Sequence, residues 1–284
     1  MTPFLFILII LTAVTHASWN ILLKQSDNKI LFMRCFLLAG SIIFLPILFF
    51  IDPPKFEALP FLFISLFIHI FYNTFLFKMY SHSEISYSYP IARGSPTLLL
   101  LFLAPLLLGD QVSFYNQVGA LVLILGIFTL IFSDGGYRKI NFKGLGLSLI
   151  VSLTIVCYTL VDAKGARLSN NAISYGIYMF ALEGILINIV FSFFFKKEKL
   201  TFNFMFKEKY KIILAGFLIT FSYLPILWAF TQANVPTVAA LREISILMTS
   251  IYGVYFLKER FGLVKVISAA LIVFGCIIIR LTAA

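Results

Sequence analysis

The sequence has little charge for its length. Only 12% of its 284 residues are charged, whereas 61% are hydrophobic and the mean hydropathy is +1.01. A soluble domain of this size could not keep so much apolar surface out of water. The formal charge of +10 would suggest nucleic-acid binding in a soluble protein, but most lysines lie in short links between apolar runs. That pattern is typical of loops beside a membrane, so we predict a polytopic membrane protein with no nucleic-acid partner.

Cysteine is also scarce. Cys35, Cys157 and Cys276 lie one at a time within apolar segments, which excludes a disulfide framework and a CxxC metal or redox site. The sequence lacks GxSxG, HExxH and GxxxxGKS motifs, and it has no acidic pair of DxxxD-like spacing that could hold Mg²⁺ and a phosphate. We therefore expect neither an enzyme nor a metal or cofactor.

Apolar runs of near-spanning length fill most of the sequence. The first run carries a faint cleavage-like site at 15–17 but lacks a basic region before it, so we expect a retained helix and not a signal peptide. The Gly135-Gly136 link divides the runs into five and five, which predicts units at 1–134 and 143–284 joined by a linker at 135–142. The ten predicted helices are 3–23, 30–51, 59–79, 85–108, 113–133, 143–163, 172–195, 210–230, 235–257 and 263–280.

One stretch occurs twice. Residues 72–131 align without a gap with residues 221–280, and this register places Arg93 on Arg242. Apolar runs match by chance, but arginines inside them do not. Because each copy holds five helices, the chain must enter the second copy from the opposite side of the membrane. We therefore predict an all-α membrane protein whose ten transmembrane helices form two inverted five-helix repeats.

The basic residues indicate an orientation. The odd-numbered links, with the helix ends beside them, carry roughly four times as many lysines and arginines as the even-numbered links and the C-terminus, and basic loops stay in the cytoplasm. This bias predicts a multi-pass protein of the inner (plasma) membrane with both termini outside the cytoplasm and the 196–211 link inside it.

The pattern resembles a known family. Two five-helix copies with tiny loops, a polar start to the fourth helix, and acidic residues in LLLGDQVS (Asp110) and YFLKERFG (Glu259) resemble the EamA-type carriers of the drug/metabolite transporter superfamily. The likeness covers nearly the whole chain. It implies a bundle of two inverted repeats whose central cavity is lined by the first, third and fourth helices of each copy. Many relatives are drawn with both termini in the cytoplasm, whereas the lysines here predict the reverse.

The matched arginines are the main functional signal. A charged side chain in the bilayer costs about 2.5–3.5 kcal/mol on insertion scales, so each arginine must face protein or water. One hypothesis is a structural ion pair, with Glu243, Glu183 or Glu84 as partner. The other is a binding site, because a guanidinium suits a carboxylate or phosphate, and Arg93 and Arg242 would approach one cavity from opposite sides.

Further polar and aromatic side chains could line that cavity. Tyrosines and tryptophans near helix ends more often anchor at the interface, and lone histidines such as His16 and His69 more often make one interhelical hydrogen bond. Glu183 and Glu243 are the candidates for proton coupling, because carboxyl groups inside membranes commonly carry protons. Asp110 and Glu259 are expected to be helix-end residues. The substrate-binding candidates are Arg93, Arg242, His16, Trp19, Asn20, Tyr72, Asn73, Tyr89, Tyr158, Tyr223, Trp228 and Ser245.

These features predict a monomeric carrier in contact with the lipid bilayer. It would move a small organic metabolite, an amino acid or related zwitterion or anion, by alternating access. An antiporter of phosphorylated or nucleotide-like anions would suit two cavity arginines equally well. A membrane-embedded transferase would instead need two carboxylates facing one cavity with a metal between them. A scaffold subunit predicts a packed centre and both arginines in closed ion pairs.

Overall fold

A computed structural model describes residues 1–82, 85–131, 142–195, 200–256 and 263–282. These ranges hold twelve α-helices, two short 3-10 helices and no strand. The 3-10 helices are Leu45–Phe49 and Phe56–Ala58. The α-helices are α1 Pro3–Gln25, α2 Lys29–Phe44, α3 Leu59–His82, α4 Ile85–Leu108, α5 Phe114–Ile131, α6 Phe142–Leu168, α7 Ala172–Phe194, α8 Phe202–Lys207, α9 Lys209–Gln232, α10 Val235–Arg242, α11 Ile244–Phe256 and α12 Leu263–Thr282.

Seven segments of the described chain are long and apolar enough to cross a membrane. Shorter apolar helices cover Phe114–Thr129 and Val266–Ile279. A multi-pass helical membrane protein is therefore confirmed, while the count of ten spans stays a prediction. The seven segments are Pro3–Gln25, Lys29–Phe49, Phe56–His82, Ser88–Leu108, Phe142–Leu168, Ala172–Phe194 and Lys209–Gln232.

Local sequence signals set several helix starts. Asn28, Asn171 and Asn234 precede α2, α7 and α10, and each side-chain oxygen accepts a hydrogen bond from a backbone N–H of the first turn. Thr2 caps α1 in the same way, with Pro3 at the first helical position. These caps satisfy N–H groups that have no partner inside the helix, which is why short polar residues mark the boundaries.

The predicted ninth helix, 235–257, is wrong as a single helix. It is divided into α10 and α11 at Glu243, whose N–H donates to the Ala240 carbonyl at 3.1 Å, while the Ile246 N–H donates to the Glu243 carbonyl at 2.9 Å. Both bonds span three residues, so the chain tightens into a 3-10 step there. The six-residue α8 was also not predicted, because it is far too short to register as a spanning run.

Glycines let helices approach closely at two contacts that join the halves of the chain. A Cβ added at Gly275 of α12 would lie 2.6 Å from the Gly119 carbonyl oxygen of α5, and one added at Gly184 of α7 would overlap the Leu37 carbonyl of α2. Small residues are the usual means of bringing backbones together where water cannot drive packing.

Candidate functional site

Arg93 of α4 is held by a carboxylate from the other half of the chain. Its Nη2 lies 3.1 Å from Glu243 Oε1, and the two side chains are only 4% and 5% exposed. Glu243 occupies the step between α10 and α11, so the helix break is what presents this carboxylate to α4. For Arg93 the structure thus supports the ion-pair alternative that the sequence left open.

Arg242 is in a different environment. It is 5% exposed, and its Cζ atom lies 5.0 Å from the centre of the Tyr223 ring, which is a cation–π geometry. No carboxylate in the described part of the chain forms an ion pair with it. The nearest described group with which its charge interacts favourably is thus the face of the Tyr223 ring.

Arg242 lines a small cavity between the two halves. The cavity measures about 30 Å³, enough for about one water molecule and too small for a metabolite. Arg93 is not among the residues that line this cavity, and its guanidinium contacts Glu243 instead. The lining residues are His16, Trp19, His69, Tyr72, Tyr158, Phe180, Glu183, Ile219, Ser222, Tyr223 and Arg242.

Aromatic rings form much of the cavity wall. His69 stacks on Tyr158 with ring centres 4.6 Å apart and planes 25° apart, and Tyr158 meets Tyr223 edge-on at 5.8 Å. On the α1 side, His16 and Trp19 pack edge-on at 5.0 Å, and the indole N–H donates to His16 Nδ1 at 3.3 Å. Such a wall offers flat apolar surface with a few polar edges, which suits a small organic molecule better than a hydrated ion.

Two carboxyl groups lie within this region. Glu183 lines the cavity, and its Oε1 accepts a hydrogen bond from the Asn73 amide at 3.2 Å. Asp162 of α6 is fully buried and accepts hydrogen bonds from Tyr223 at 2.8 Å and from Tyr175 at 3.1 Å. Glu183 therefore faces the cavity directly, whereas Asp162 meets it through Tyr223.

The predicted candidates separate into a lining group and a supporting group. His16, Trp19, Tyr72, Tyr158, Tyr223, Arg242 and Glu183 line the cavity. Asn20 accepts a hydrogen bond from Tyr80 at 2.7 Å, and Asn73 holds Glu183, so both act behind the wall. Tyr89 and Ser245 are buried beside the Arg93–Glu243 pair. Trp228 is not in the lining: its ring packs edge-on against Phe4 at 6.1 Å.

Sequence reasoning undervalued two residues of the site. His69 was expected to make one structural hydrogen bond, and it does contact Ser65 at 3.2 Å, but its ring also forms part of the cavity wall. Asp162 was not among the predicted substrate-binding or proton-coupling residues. It follows Tyr158 by four residues and so shares a helical face with it. A carboxyl group on the polar face of an apolar helix is the sequence signal that could have identified it.

Asp110 lies at a junction of helix ends, in agreement with its predicted role. Its carboxylate contacts Arg167 Nη1 at 2.6 Å and accepts a hydrogen bond from the Val235 N–H at 2.6 Å. It thus joins the end of α4 to the end of α6 and to the start of α10. A negative charge is favourable at the start of α10, because the N-terminus of a helix carries a partial positive charge. The matching residue, Glu259, and the candidate counter-ion Glu84 lie outside the described residues.

The comparisons with known proteins agree with this architecture. Residues 142–281 match the family model described as EamA-like transporter family. The second half of the chain thus belongs to the EamA-like transporter family. That family is part of the drug/metabolite transporter superfamily, and its members are transporters and not enzymes. The match covers nearly the same residues as the predicted second unit.

The structural comparison extends over both halves. A solved structure titled "Crystal structure of protein" aligns with 98% of this chain and with 98% of its own chain, at a TM-score of 0.79 and 13% sequence identity. At that identity the likeness establishes the fold alone. A search of curated proteins finds no match.

Proposed function

We propose that this protein is an inner-membrane carrier of a small zwitterionic or anionic metabolite, such as an amino acid, and that Arg242 binds the anionic group. The observation that carries this proposal is a buried guanidinium in a cavity wall with no ionic partner among the described side chains. A buried charge is costly unless it is paired. A substrate carboxylate can supply the two acceptor atoms that the planar fork of arginine matches.

The inverted repeat is supported by the helix contacts. In chain order, α1–α5 correspond to α6, α7, α9, the α10–α11 pair and α12. A two-fold exchange of these sets turns the α3–α6 contact into the α9–α1 contact and leaves α2–α7 and α5–α12 each unchanged, and all four contacts are present. Inverted repeats of this kind place a substrate between the copies, and transport follows from rocking one copy against the other.

The small volume of the cavity favours alternating access. Space for about one water molecule cannot hold an amino acid, so a substrate reaches Arg242 only if the surrounding helices separate. The cavity is enclosed by α1 and α3 of the first half and by α6, α7, α9 and α10 of the second. Movement between the halves would therefore open the site without unfolding either one.

The charges favour a carboxylate over a phosphorylated substrate. A phosphate or nucleotide carries more negative charge than one guanidinium neutralises, and Arg93, the second candidate cation, is already in contact with Glu243. Glu183 in the same wall offers an acceptor for an ammonium group. The transferase alternative requires two carboxylates that face one cavity, and of the described carboxyl groups Glu183 is the one among the lining residues.

A ligand-binding panel tests the proposal. Purified protein is heated with amino acids, with matched carboxylic acids that lack the amino group, and with phosphorylated metabolites, because a ligand of the native state raises the melting temperature. We expect the largest rise from amino acids and its loss in Arg242→Met, while Arg93→Lys, which keeps the charge opposite Glu243, retains it. A rise that survives in Arg242→Met would contradict the assignment of the site.

A further inference from the structure

Asp162 is a buried carboxyl group in unusual surroundings. It is 0% exposed, and no lysine, arginine or histidine of the described chain forms an ion pair with it. Two tyrosine hydroxyls reach it instead, from Tyr175 on α7 and Tyr223 on α9. Gly165 leaves the space that Tyr175 occupies, since a Cβ there would lie 2.6 Å from the ring. The described side chains that contact Asp162 thus supply hydrogen bonds and no ion-pair partner.

Tyr223 links this carboxyl group to the proposed substrate arginine. Its hydroxyl donates to Asp162 at 2.8 Å, and its ring lies 5.0 Å from the guanidinium of Arg242 and forms part of the cavity wall. A change in the charge of Asp162 therefore has two effects. It changes the group that accepts the hydrogen bond of the Tyr223 hydroxyl, and it changes the electric field at Arg242. One side chain therefore connects Asp162 to the cavity.

The charges of the described side chains around the cavity do not balance unless a proton is bound. The Arg93–Glu243 pair is neutral. Among these described side chains, that leaves one cation, Arg242, and two carboxyl groups, Asp162 and Glu183. With both ionised, this apolar interior would hold one excess negative charge, which is expensive away from water. One bound proton removes the excess.

We propose that Asp162 is the proton-binding site of this protein and that Tyr223 couples its charge to Arg242. The proton adds to Asp162 Oδ2, the atom that accepts from Tyr223, and the carboxylate becomes a neutral acid that can itself donate. The Tyr223 hydroxyl then turns to accept from the new O–H or leaves it, and Arg242 loses a nearby negative charge. This proposal rests on the proposed carrier function, and it identifies the proton as the ion that is coupled to transport.

Other titratable and charged groups lie near Asp162, on α6 itself and on the helices packed against it. Arg34 of α2 is buried and donates hydrogen bonds to Asn188 and Ser192 of α7. Glu57, in the 3-10 helix that also contacts α6, is exposed. The titratable and charged groups on this side are His69 and Tyr72 on α3, Tyr89 and Arg93 on α4, Tyr158 on α6, Tyr175 and Glu183 on α7, Tyr223 on α9 and Arg242 on α10.

Isotope-labelled infrared spectroscopy tests the site without a substrate. The C=O stretch of a protonated carboxyl group appears in the difference spectrum between acidic and alkaline buffer. Protein labelled with ¹³C at the aspartate side-chain carboxyl should show a buried-acid band moved to lower frequency, whereas the same label on glutamate should leave that band in place. A band that moves only with the glutamate label would overturn the proposal and assign the proton to Glu183 or Glu243.

Variants locate the band within the site. Asp162→Asn keeps the shape and an acceptor for Tyr223, so the fold should persist while the band disappears, and Glu183→Gln should keep the band. Where Asp162→Asn does not fold, Tyr223→Phe serves instead: removal of one hydrogen bond should shift the aspartate band, and an unshifted band would contradict the coupling. None of these spectra depends on ligand binding, so a failed ligand panel and a failed proton site remain distinguishable.

Discussion

The two aligned halves place an arginine at the same point, and the surroundings of the two arginines differ. Arg93 lies against Glu243, whereas Arg242 lies over the ring of Tyr223 in the cavity wall. The second half has a carboxylate at the residue after its arginine, where the first half has Gly94. That carboxylate pairs with Arg93, whereas no described carboxylate forms an ion pair with Arg242. Residues at equivalent points of the two aligned stretches can therefore lie in different electrostatic surroundings.

The largest expected effect is at Arg93. Arg93→Met should lower the free energy of unfolding by about 3–5 kcal/mol, because it leaves the Glu243 carboxylate buried without a partner. Thermal or denaturant unfolding in detergent measures the loss. The double variant Arg93→Met with Glu243→Met should recover most of it, since an apolar pair of similar volume replaces the ion pair. A double variant as unstable as Arg93→Met would contradict the ion-pair interpretation.

At the α5–α12 contact we expect equivalent substitutions in the two halves to have similar effects on stability. Gly126 and Gly275 are equivalent in the aligned stretches, and an added Cβ would lie 2.9 Å from the Ile272 nitrogen in one case and 2.6 Å from the Gly119 carbonyl oxygen in the other. We expect Gly126→Ala and Gly275→Ala each to destabilise the protein by about 1–3 kcal/mol, because the backbones must move apart.

Melting temperatures of the two glycine variants measure this effect. Gly146, with no atom within 4 Å of an added Cβ, is the matched control on α6. Equal stability of all three variants would show that close approach at α5–α12 does not matter.

Substitution of Arg242 should affect ligand binding more than stability, whereas substitution of Arg93 should affect stability most. Arg242→Met breaks no ion pair of the described residues, so we expect a smaller loss of unfolding free energy than for Arg93→Met, together with the loss of ligand binding. Arg242→Lys keeps the charge but loses the two-pronged geometry, so binding should weaken and not vanish. Calorimetric titration with the amino acids of the panel compares the variants. A strongly destabilised Arg242→Met would instead indicate a structural ion pair for this arginine too.

The smallest effect is expected at Trp228. Trp228→Phe should leave ligand binding unchanged, because the ring packs against Phe4 and not in the cavity lining, while Trp19→Phe should weaken it. Fluorescence titration of each single-tryptophan variant provides the measurement, since the chain has two tryptophans. Equal loss of binding in both variants would place Trp228 in the substrate path after all.

Much of the fold could be predicted from the sequence because its signals are local. Apolar runs long enough to span set the helices, and capping residues such as Asn171 set their starts, since both depend on residues a few positions apart. Seven of the described segments meet the requirements of a membrane span, and the family match falls on the predicted second half. The break at Glu243 was missed because a 3-10 step in an apolar run leaves no compositional signal.

The sequence by itself determined that the chain is a helical membrane protein of a transporter family and that Arg93 and Arg242 must be sheltered from lipid, because composition, length and matched charges act wherever the chain folds. Only the tertiary structure decided how each arginine is sheltered. Glu243 lies far from Arg93 in sequence and directly beside Arg242, yet it is the packing of α10 and α11 against α4 that pairs it with Arg93. Asp162, Tyr175 and Tyr223 likewise meet only when three helices pack, since interactions between helices depend on which faces touch and not on spacing along one of them.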